Sequence, residues 1–400
     1  MFQRLLITSI ALCLTAATAP TQGGSKSKSL LKIQVGDATY EGKAVASDKS
    51  RFWLMSRDGR LTSLRFNDVA SLEKISPNFK SESLVQIRDE LKKQYRGDFE
   101  VTARGHYVVC APQGRAREYA KLFEDIYNRF FSYFRVRGLK MSEPEFPMVA
   151  LVFPDQASFA RYAAGDGVPA VRGLLGYYHH HTNRVALFDP GDDVAAAYDS
   201  QDAMWTLTGL PHKAQRFAHL TGNFAAATGS AESGLRDTMI HEGTHQVAFN
   251  TGLHSRIGED PKWIVEGLAT VYEAPGIRDG GSLAKTVEQI NRDRFLWFMN
   301  FAEKRRPQGA LRDFVASDKV FDAALLDGYS AALALRLFFI RPLSAAYARY
   351  LQTVANRDPL KPYGSAERLR DFQAAFGKNL DVLDANFMKY MKNLAASLQQ

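Results

Sequence analysis

The segment His-Glu-Gly-Thr-His at residues 241–245 constrains this chain more than any other feature, because it places two imidazoles one helical turn apart. Residues four apart lie on one face of a helix, so His241 and His245 can bind the same metal ion. Glu242 lies to one side of that pair, where it can contact a water on the metal. The flanking residues predict a buried helix, since they are mostly apolar: Leu235, Met239, Ile240, Val247, Ala248 and Phe249.

A third ligand is needed, because catalytic zinc binds three protein ligands and keeps one position open. Glu266 is the candidate, since it is the lone carboxylate of the apolar segment Trp-Ile-Val-Glu-Gly-Leu-Ala at residues 263–269. A carboxylate is costly to bury unless it is paired or bound to metal. We expect its helix to begin with Asp260 as N-cap and Pro261 in the first turn.

Together the two motifs resemble the gluzincin metallopeptidases, and most closely the peptidase-MA-like domains of uncharacterised secreted bacterial proteins. In that group the first helix supplies two histidines and the second supplies a glutamate. The resemblance therefore implies Zn2+ on His241, His245 and Glu266, with Glu242 as the general base for hydrolysis of a peptide or protein substrate. It covers roughly residues 85–400 and is specific only at residues 241–273.

The chain departs from related patterns at several positions. A metzincin would have glycine at 248 and histidine at 251, where this chain has Ala248 and Thr251. Thermolysin-like enzymes often carry an aspartate four residues after the glutamate ligand, where this chain has Thr270. No partner that orients a histidine is thus identified. Glu273, two turns past Glu266, is a weak substitute, and a solvent-facing position is the favoured interpretation.

The resemblance also implies a side chain that stabilises the oxyanion, often a tyrosine or histidine from a later helix. Tyr329 begins such a helix in the segment Asp-Gly-Tyr-Ser-Ala at residues 327–331 and is the candidate. An ordinary half-buried tyrosine is an open alternative, because the chain has 16 tyrosines.

The hydrophobic pattern predicts an α+β protein with a zincin-like fold. Short alternating runs and the turn Asp58-Gly59 predict a small β-barrel at residues 28–78, similar to Src-homology-like barrels. Strands and helices alternate over residues 83–275 in the order of a zincin-like half, in which residues 115–136 form a core helix. Residues 276–400 are predicted to be helical.

Two features near the predicted metal helix invite functional interpretations. Residues 184–188 are expected to form an edge strand that binds substrate backbone. The three histidines at 179–181 suggest a second metal site, although a solvated turn is the favoured interpretation. The long segment at 189–233 is expected either to cover the cleft or to form a local helical insertion.

The first 19 residues have the pattern of a signal peptide, with Arg4, an apolar run at 5–14 and small residues after it. We therefore expect export to the periplasm or beyond the cell, leaving Cys110 as the sole cysteine and no internal disulfide. No other segment is apolar enough for a membrane helix, since Arg336 interrupts residues 331–340. The net charge of +8 comes from scattered residues, so a nucleic-acid partner is not expected.

Two other functions stay open at this point. The zinc could be structural, in a non-catalytic surface or scaffold protein, although a structural site would gain nothing from Glu242. The site could also hydrolyse amide bonds outside proteins, such as those of the cell wall. The sequence does not indicate the oligomeric state or the cleavage preference.

Overall fold

A computed structural model describes residues 28–168, 174–189, 218–221, 231–278, 286–340 and 343–398. The expected signal peptide at 1–19 and most of the segment at 189–233 lie outside these described residues. Within them the protein is a mixed α/β structure with two sheets in its amino-terminal part and a helical carboxy-terminal half.

The first sheet has five antiparallel strands in the order β4-β3-β2-β1-β5. Their bounds are Leu30–Val35 (β1), Ala38–Ser47 (β2), Arg51–Ser56 (β3), Leu61–Arg65 (β4) and Val69–Ser76 (β5). The prediction of a β-barrel is wrong, because β4 and β5 lie at opposite ends of this order and do not pair. A barrel requires every strand to be bonded on both sides. Here the backbone N–H of Leu61 instead donates to the carbonyl of His181 at 2.7 Å, outside the sheet.

The second sheet has six strands in the order β11-β9-β10-β8-β7-β6. The bounds are Phe99–Arg104 (β6), Tyr107–Pro112 (β7), Met148–Phe153 (β8), Gly176–His179 (β9), Arg184–Phe188 (β10) and Ala218–Thr221 (β11). Strand β8 pairs in parallel with both β7 and β10, whereas the other pairs are antiparallel. Every residue of β8 is buried, as expected for a strand covered on both faces.

The expected edge strand at 184–188 is wrong, because β10 lies inside the sheet between β8 and β9. The end strands of this order are β11 and β6. The predicted hairpin around residues 179–183 does form, with β9 and β10 antiparallel. Periodicity located the strand pair correctly, but it could not indicate that a third strand, β11, pairs with β9.

Three helices accompany this sheet: α1 (Leu84–Gln94), α2 (Ala116–Arg135) and α3 (Gln156–Gly165). Helix α2 confirms the predicted core helix, since its apolar stripe is buried. Cys110 is a free, buried residue of β7, as expected.

Helix α4 (Ala231–Asn250) carries the two histidines, and α5 (Lys262–Tyr272) carries Glu266. The predicted N-cap of α5 is wrong: Pro261 takes that position without a side-chain cap. The Asp260 carboxylate instead accepts a hydrogen bond from the backbone N–H of Ser255 at 2.7 Å, within the loop between the two helices.

The rest of the described chain is helical, as predicted. Its helices are α6 (Pro275–Arg278), α7 (Arg292–Lys304), α8 (Ala310–Ala316), α9 (Lys319–Ala323), α10 (Leu325–Ile340), α11 (Ser344–Ala355), α12 (Ser365–Phe376) and α13 (Leu380–Ser397). Helix α10 is buried from Asp327 to its end. A Cβ on Gly267 would lie 2.7 Å from the carbonyl oxygen of Ala332, so glycine permits the close approach of α5 and α10.

Arg256 joins the first sheet to the rest of the protein. Its guanidinium donates to the carbonyl of Gly59 at 2.6 Å and to the carbonyl of His180 at 2.7 Å. The buried turn of the first sheet is thereby fixed against the β9–β10 turn.

Among the described helices, none is by itself both long and apolar enough for a membrane span. Helices α10 and α11 reach that composition together, with a bend of 120° between them.

Candidate metal centre

Helix α4 places His241 and His245 on one buried face. Each histidine is 1% exposed, and their ring centroids lie 4.7 Å apart. The helix is fixed against the sheet by Gln246, whose side-chain amide donates to the carbonyls of Val149 and Asn183 at 3.0 and 2.8 Å. The two imidazoles therefore have a defined direction, as predicted from their spacing.

Helix α5 brings Glu266 to the same point. Its Oε2 atom lies 3.2 Å from Nε2 of His241 and 3.4 Å from Nε2 of His245. Metal–ligand bonds of about 2.0–2.1 Å in a tetrahedral site separate neighbouring ligand atoms by roughly 3.3–3.4 Å. The three ligand atoms all lie within 4.8 Å of one another, so their geometry fits one metal ion.

This group is the single one of its kind in the part of the chain that the structure describes. The histidines at 179–181 do not form a second group of possible metal ligands. Their turn is not solvated as expected: His179 is buried and the next two are half-buried, with their carbonyls bonded to Arg256. Burial lowers the pKa of His181 to about 4, and the nearby charge of Arg256 acts in the same direction.

Glu273 orients His241, which corrects the expectation that it faces solvent. It is 8% exposed, and its Oε1 atom lies 2.7 Å from Nδ1 of His241. The same carboxylate accepts two hydrogen bonds from Arg294 of α7, at 2.7 and 2.8 Å, and one from Asn291. With Nδ1 held by Glu273, the Nε2 atom of His241 is left for a metal.

These contacts shift the pKa values of His241 and Glu273. Burial disfavours the charged imidazole, but hydrogen bonds to Glu266 and Glu273 raise the pKa of His241 to about 10. Burial also tends to raise the pKa of Glu273, but Arg294 and His241 outweigh it and lower that pKa below its ordinary value. Glu273 is therefore a carboxylate in this site, balanced by the guanidinium of Arg294.

Glu242 lies beside the ligands and is fully buried. Its Oε2 atom accepts a hydrogen bond of 2.7 Å from the backbone N–H of Tyr178 in β9. Its Oε1 atom has no hydrogen-bond partner. Burial raises the pKa of this carboxyl group well above its ordinary value, and Glu266 contributes to the increase while His241 opposes it. One oxygen is thus positioned by the sheet and the other is left for a substrate or a water.

Tyr329 of α10 lies at the same centre. Its ring centroid is 6.1 Å from that of His241, and the guanidinium of Arg294 lies 5.2 Å from its ring. Burial raises the pKa of its hydroxyl, and the carboxylate of Glu266 adds to the shift. The hydroxyl therefore keeps its proton at neutral pH and can donate a hydrogen bond.

The structure thus brings together all five residues singled out from the sequence: His241, Glu242, His245, Glu266 and Tyr329. Sequence reasoning gave Glu273 only as a weak substitute for the partner of a histidine, and it missed Arg294 and Asn291. A usable signal was present, because a residue seven positions after Glu266 lies two turns along the same helical face. Arg294 and Asn291 come from another helix, and no local pattern connects them with the site.

Residues 236–361 match the model of a family described as a protein of unknown function (DUF1570). This region covers most of α4 and all of α5, α7, α10 and α11, and it contains the residues of the centre except Tyr178. Among curated proteins, no match to the chain was found.

Proposed function

We propose that this protein is an exported zinc-dependent metallopeptidase of the gluzincin type, with a zincin-like catalytic fold. The observation that carries the proposal is the position of Glu242, a buried carboxylate with one unpaired oxygen next to two histidines and a third acidic ligand. A structural metal site needs no such group. Export rests on the signal-peptide pattern of residues 1–19.

Zinc is the metal that best fits the ligand set. Two imidazoles and one carboxylate are typical of catalytic zinc sites that leave a fourth position for water or substrate. The histidine held by a carboxylate, here His241 held by Glu273, is also typical of zinc sites. Calcium and magnesium prefer oxygen ligands, so the two histidines argue against them.

When bound, zinc supplies a Lewis acid and makes water a stronger nucleophile near neutral pH. The chain's own groups then determine the reaction. Glu242 takes a proton from the attacking water through its free oxygen and passes it to the leaving nitrogen. The hydrogen bond from Tyr178 fixes the other oxygen, which keeps the carboxylate aligned during both transfers.

Tyr329 is proposed to donate a hydrogen bond to the oxygen of the scissile carbonyl as it gains negative charge. Its raised pKa supports this role, since a phenol that stays protonated remains a donor. Arg294 lies over its ring and also donates to Glu273, so one arginine contacts both Tyr329 and the carboxylate that orients His241.

The proposal is tested with the purified mature chain, a library of unfolded proteins and peptides, and a set of cell-wall fragments. We expect cleavage of peptide bonds that stops with a chelator and returns with added zinc. Glu242→Gln is the matched variant, because it keeps the shape and the hydrogen bond from Tyr178 but removes the base. Cleavage of wall fragments alone would replace the peptidase proposal with another amide hydrolase. If neither peptides nor wall fragments were cleaved in a zinc-dependent way, the remaining alternative would be a non-catalytic scaffold protein.

A further inference from the structure

Arg336 is a fully buried cation without a matching anion. It lies in the last turn but one of α10 and has 0% exposure. All three of its guanidinium nitrogens lack a hydrogen bond. Among the described residues no carboxylate forms a salt bridge with it. An arginine offers five N–H donors, and leaving them unsatisfied in a protein interior is costly.

The other buried arginines of the described chain do not share this condition. Arg294 pairs with Glu273, Arg368 pairs with Asp318, and Arg256 donates to backbone carbonyls. Arg184 lies 4.0 Å from the carboxylate of Asp58. Each has oxygen acceptors within reach. Arg336 is therefore an exception to a pattern that the protein otherwise follows.

Aromatic residues surround this guanidinium. Its central carbon lies 4.5 Å from the ring centroid of Tyr347 and 5.2 Å from that of Phe134. Ring faces and the carboxy-terminal end of a helix both attract a cation. Neither, as placed here, accepts a hydrogen bond from the guanidinium.

Two tyrosine hydroxyls share the same environment. Those of Tyr272 and Tyr347 are buried and have no hydrogen-bond partner. Burial raises the pKa of each, and the charge of Arg336 opposes that increase in both. The ring of Tyr272 also packs against that of Phe134, one of the two rings beside the guanidinium, with centroids 6.4 Å apart. The groups at this point are thus a cation and two hydroxyls; the hydroxyls can donate or accept, but none of the three groups carries a negative charge. The missing partner is an acceptor with negative charge.

We propose that Arg336, Tyr272 and Tyr347 bind a chloride ion inside the protein. The ligand must be small, because the side chains around it are closed to solvent: Tyr272, Tyr347 and Phe134 are each at most 2% exposed. A phosphate or a carboxylate-bearing molecule would need an opening and a larger space. A monatomic anion accepts from several donors at once and neutralises the charge of Arg336.

The ion would connect three helices, because Tyr272 ends α5, Arg336 lies in α10 and Tyr347 lies in α11. Helices α5 and α10 also carry Glu266 and Tyr329. Chloride is therefore expected to stabilise the packing that holds the metal centre together, without contact with the metal.

The test measures thermal unfolding of the mature chain in sodium chloride and in sodium methanesulfonate at equal ionic strength. Each tenfold increase of chloride above its Kd should raise Tm by about 2 °C. Arg336→Met should abolish this dependence, and Tyr272→Phe, which keeps the cation, should weaken it. Arg137→Met is the control, because Arg137 is an exposed arginine near the same cluster; its chloride dependence should equal that of the wild type.

A crystal grown in sodium bromide gives the direct observation. We expect an anomalous bromine peak within about 3.5 Å of the Arg336 nitrogens. Equal Tm values in the two salts, or water molecules in place of the bromine peak, would overturn the proposal. If Arg336→Met does not fold, the bromide crystal and the chloride dependence of Tyr272→Phe together test the proposal.

Discussion

Tyr272 and Glu273 are neighbours in the chain, yet their side chains lie in two contrasting regions. Glu273 contacts His241 and Arg294, so the buried arginine there is matched by a carboxylate. Tyr272 contributes to the surroundings of Arg336, a buried arginine that lies beside aromatic rings and forms no salt bridge with the described residues. We call the first the paired region and the second the unpaired region.

The difference shows two uses of a buried positive charge. In the paired region the charge is balanced within the protein, and the balance fixes the orientation of a candidate metal ligand. In the unpaired region the described residues supply no carboxylate, and the chloride that we propose would balance the cation. The end of α5 contributes to both regions, since Tyr272 is its last residue and Glu273 follows it.

The largest expected effect concerns Glu242, beside the paired region. Glu242→Gln should lower the turnover of a peptide substrate by about 10²–10⁴-fold, because it removes the proton acceptor. Bound zinc should stay at the wild-type level. Steady-state cleavage assays and metal analysis measure the two quantities, and a variant with unchanged turnover would refute the base assignment.

Arg294→Met should destabilise the protein by about 3–5 kcal/mol, because it leaves the carboxylate of Glu273 buried without its cation. Denaturant unfolding of the metal-free chain gives the free energy. The double variant Glu273→Leu with Arg294→Met is the control, and it should recover most of the loss. If the single variant were as stable as the wild type, the paired region would contribute no charge balance.

Glu273→Gln should weaken zinc binding by about 10–100-fold while leaving the protein folded, since the amide is a poorer acceptor for the imidazole N–H. Competition with a coloured chelator measures the affinity. Glu259→Gln, an exposed change in the loop before α5, is the control and should bind zinc as tightly as the wild type. An affinity equal in all three chains would show that His241 needs no such orientation.

His181 is a half-buried histidine outside both regions, and partial burial lowers its pKa to about 4, so the folded chain keeps it neutral near pH 7. The unfolded chain binds a proton near pH 6.5 and the folded chain does not, so stability falls as the pH drops from about 7 towards 4. The loss at pH 5 should be about 1–2 kcal/mol and should be absent in His181→Asn. Equal slopes of unfolding free energy against pH in both chains would contradict this account.

The smallest effect is expected in the unpaired region. At low chloride, Arg336→Met should change the unfolding free energy by less than about 1 kcal/mol, because an apolar side chain of similar size replaces an uncompensated charge. The loss of unfolding free energy should therefore be much smaller in Arg336→Met than in Arg294→Met. A loss as large as that of Arg294→Met would mean that Arg336 already has its full set of partners within the protein.

The metal ligands could be predicted from the sequence because their geometry is local. Four residues make one helical turn, so the relation of His241 and His245 follows from spacing alone. Glu266 could be added because a lone carboxylate in an apolar helix needs a partner. The core helix and the helical half followed from hydrophobic periodicity in the same way.

The errors arose where long-range pairing decides the structure. Alternating runs predict strands but not whether the first sheet closes, and β4 and β5 do not meet. The position of β10 inside the second sheet depends on β9 and β11 rather than on its own residues. Arg336 appeared in the sequence only as an interruption of an apolar run, and its aromatic neighbours come from three other helices.

The most direct test of the account is the metal content of the purified mature chain after exposure to zinc and removal of the excess. Native mass spectrometry should find one zinc ion per wild-type chain, none in His245→Ala or Glu266→Ala, and one in the control His181→Asn. Circular dichroism confirms that each variant is folded. A wild-type chain without zinc, or a folded His245→Ala chain that keeps one zinc ion, would contradict the assignment of His241, His245 and Glu266 as the metal ligands.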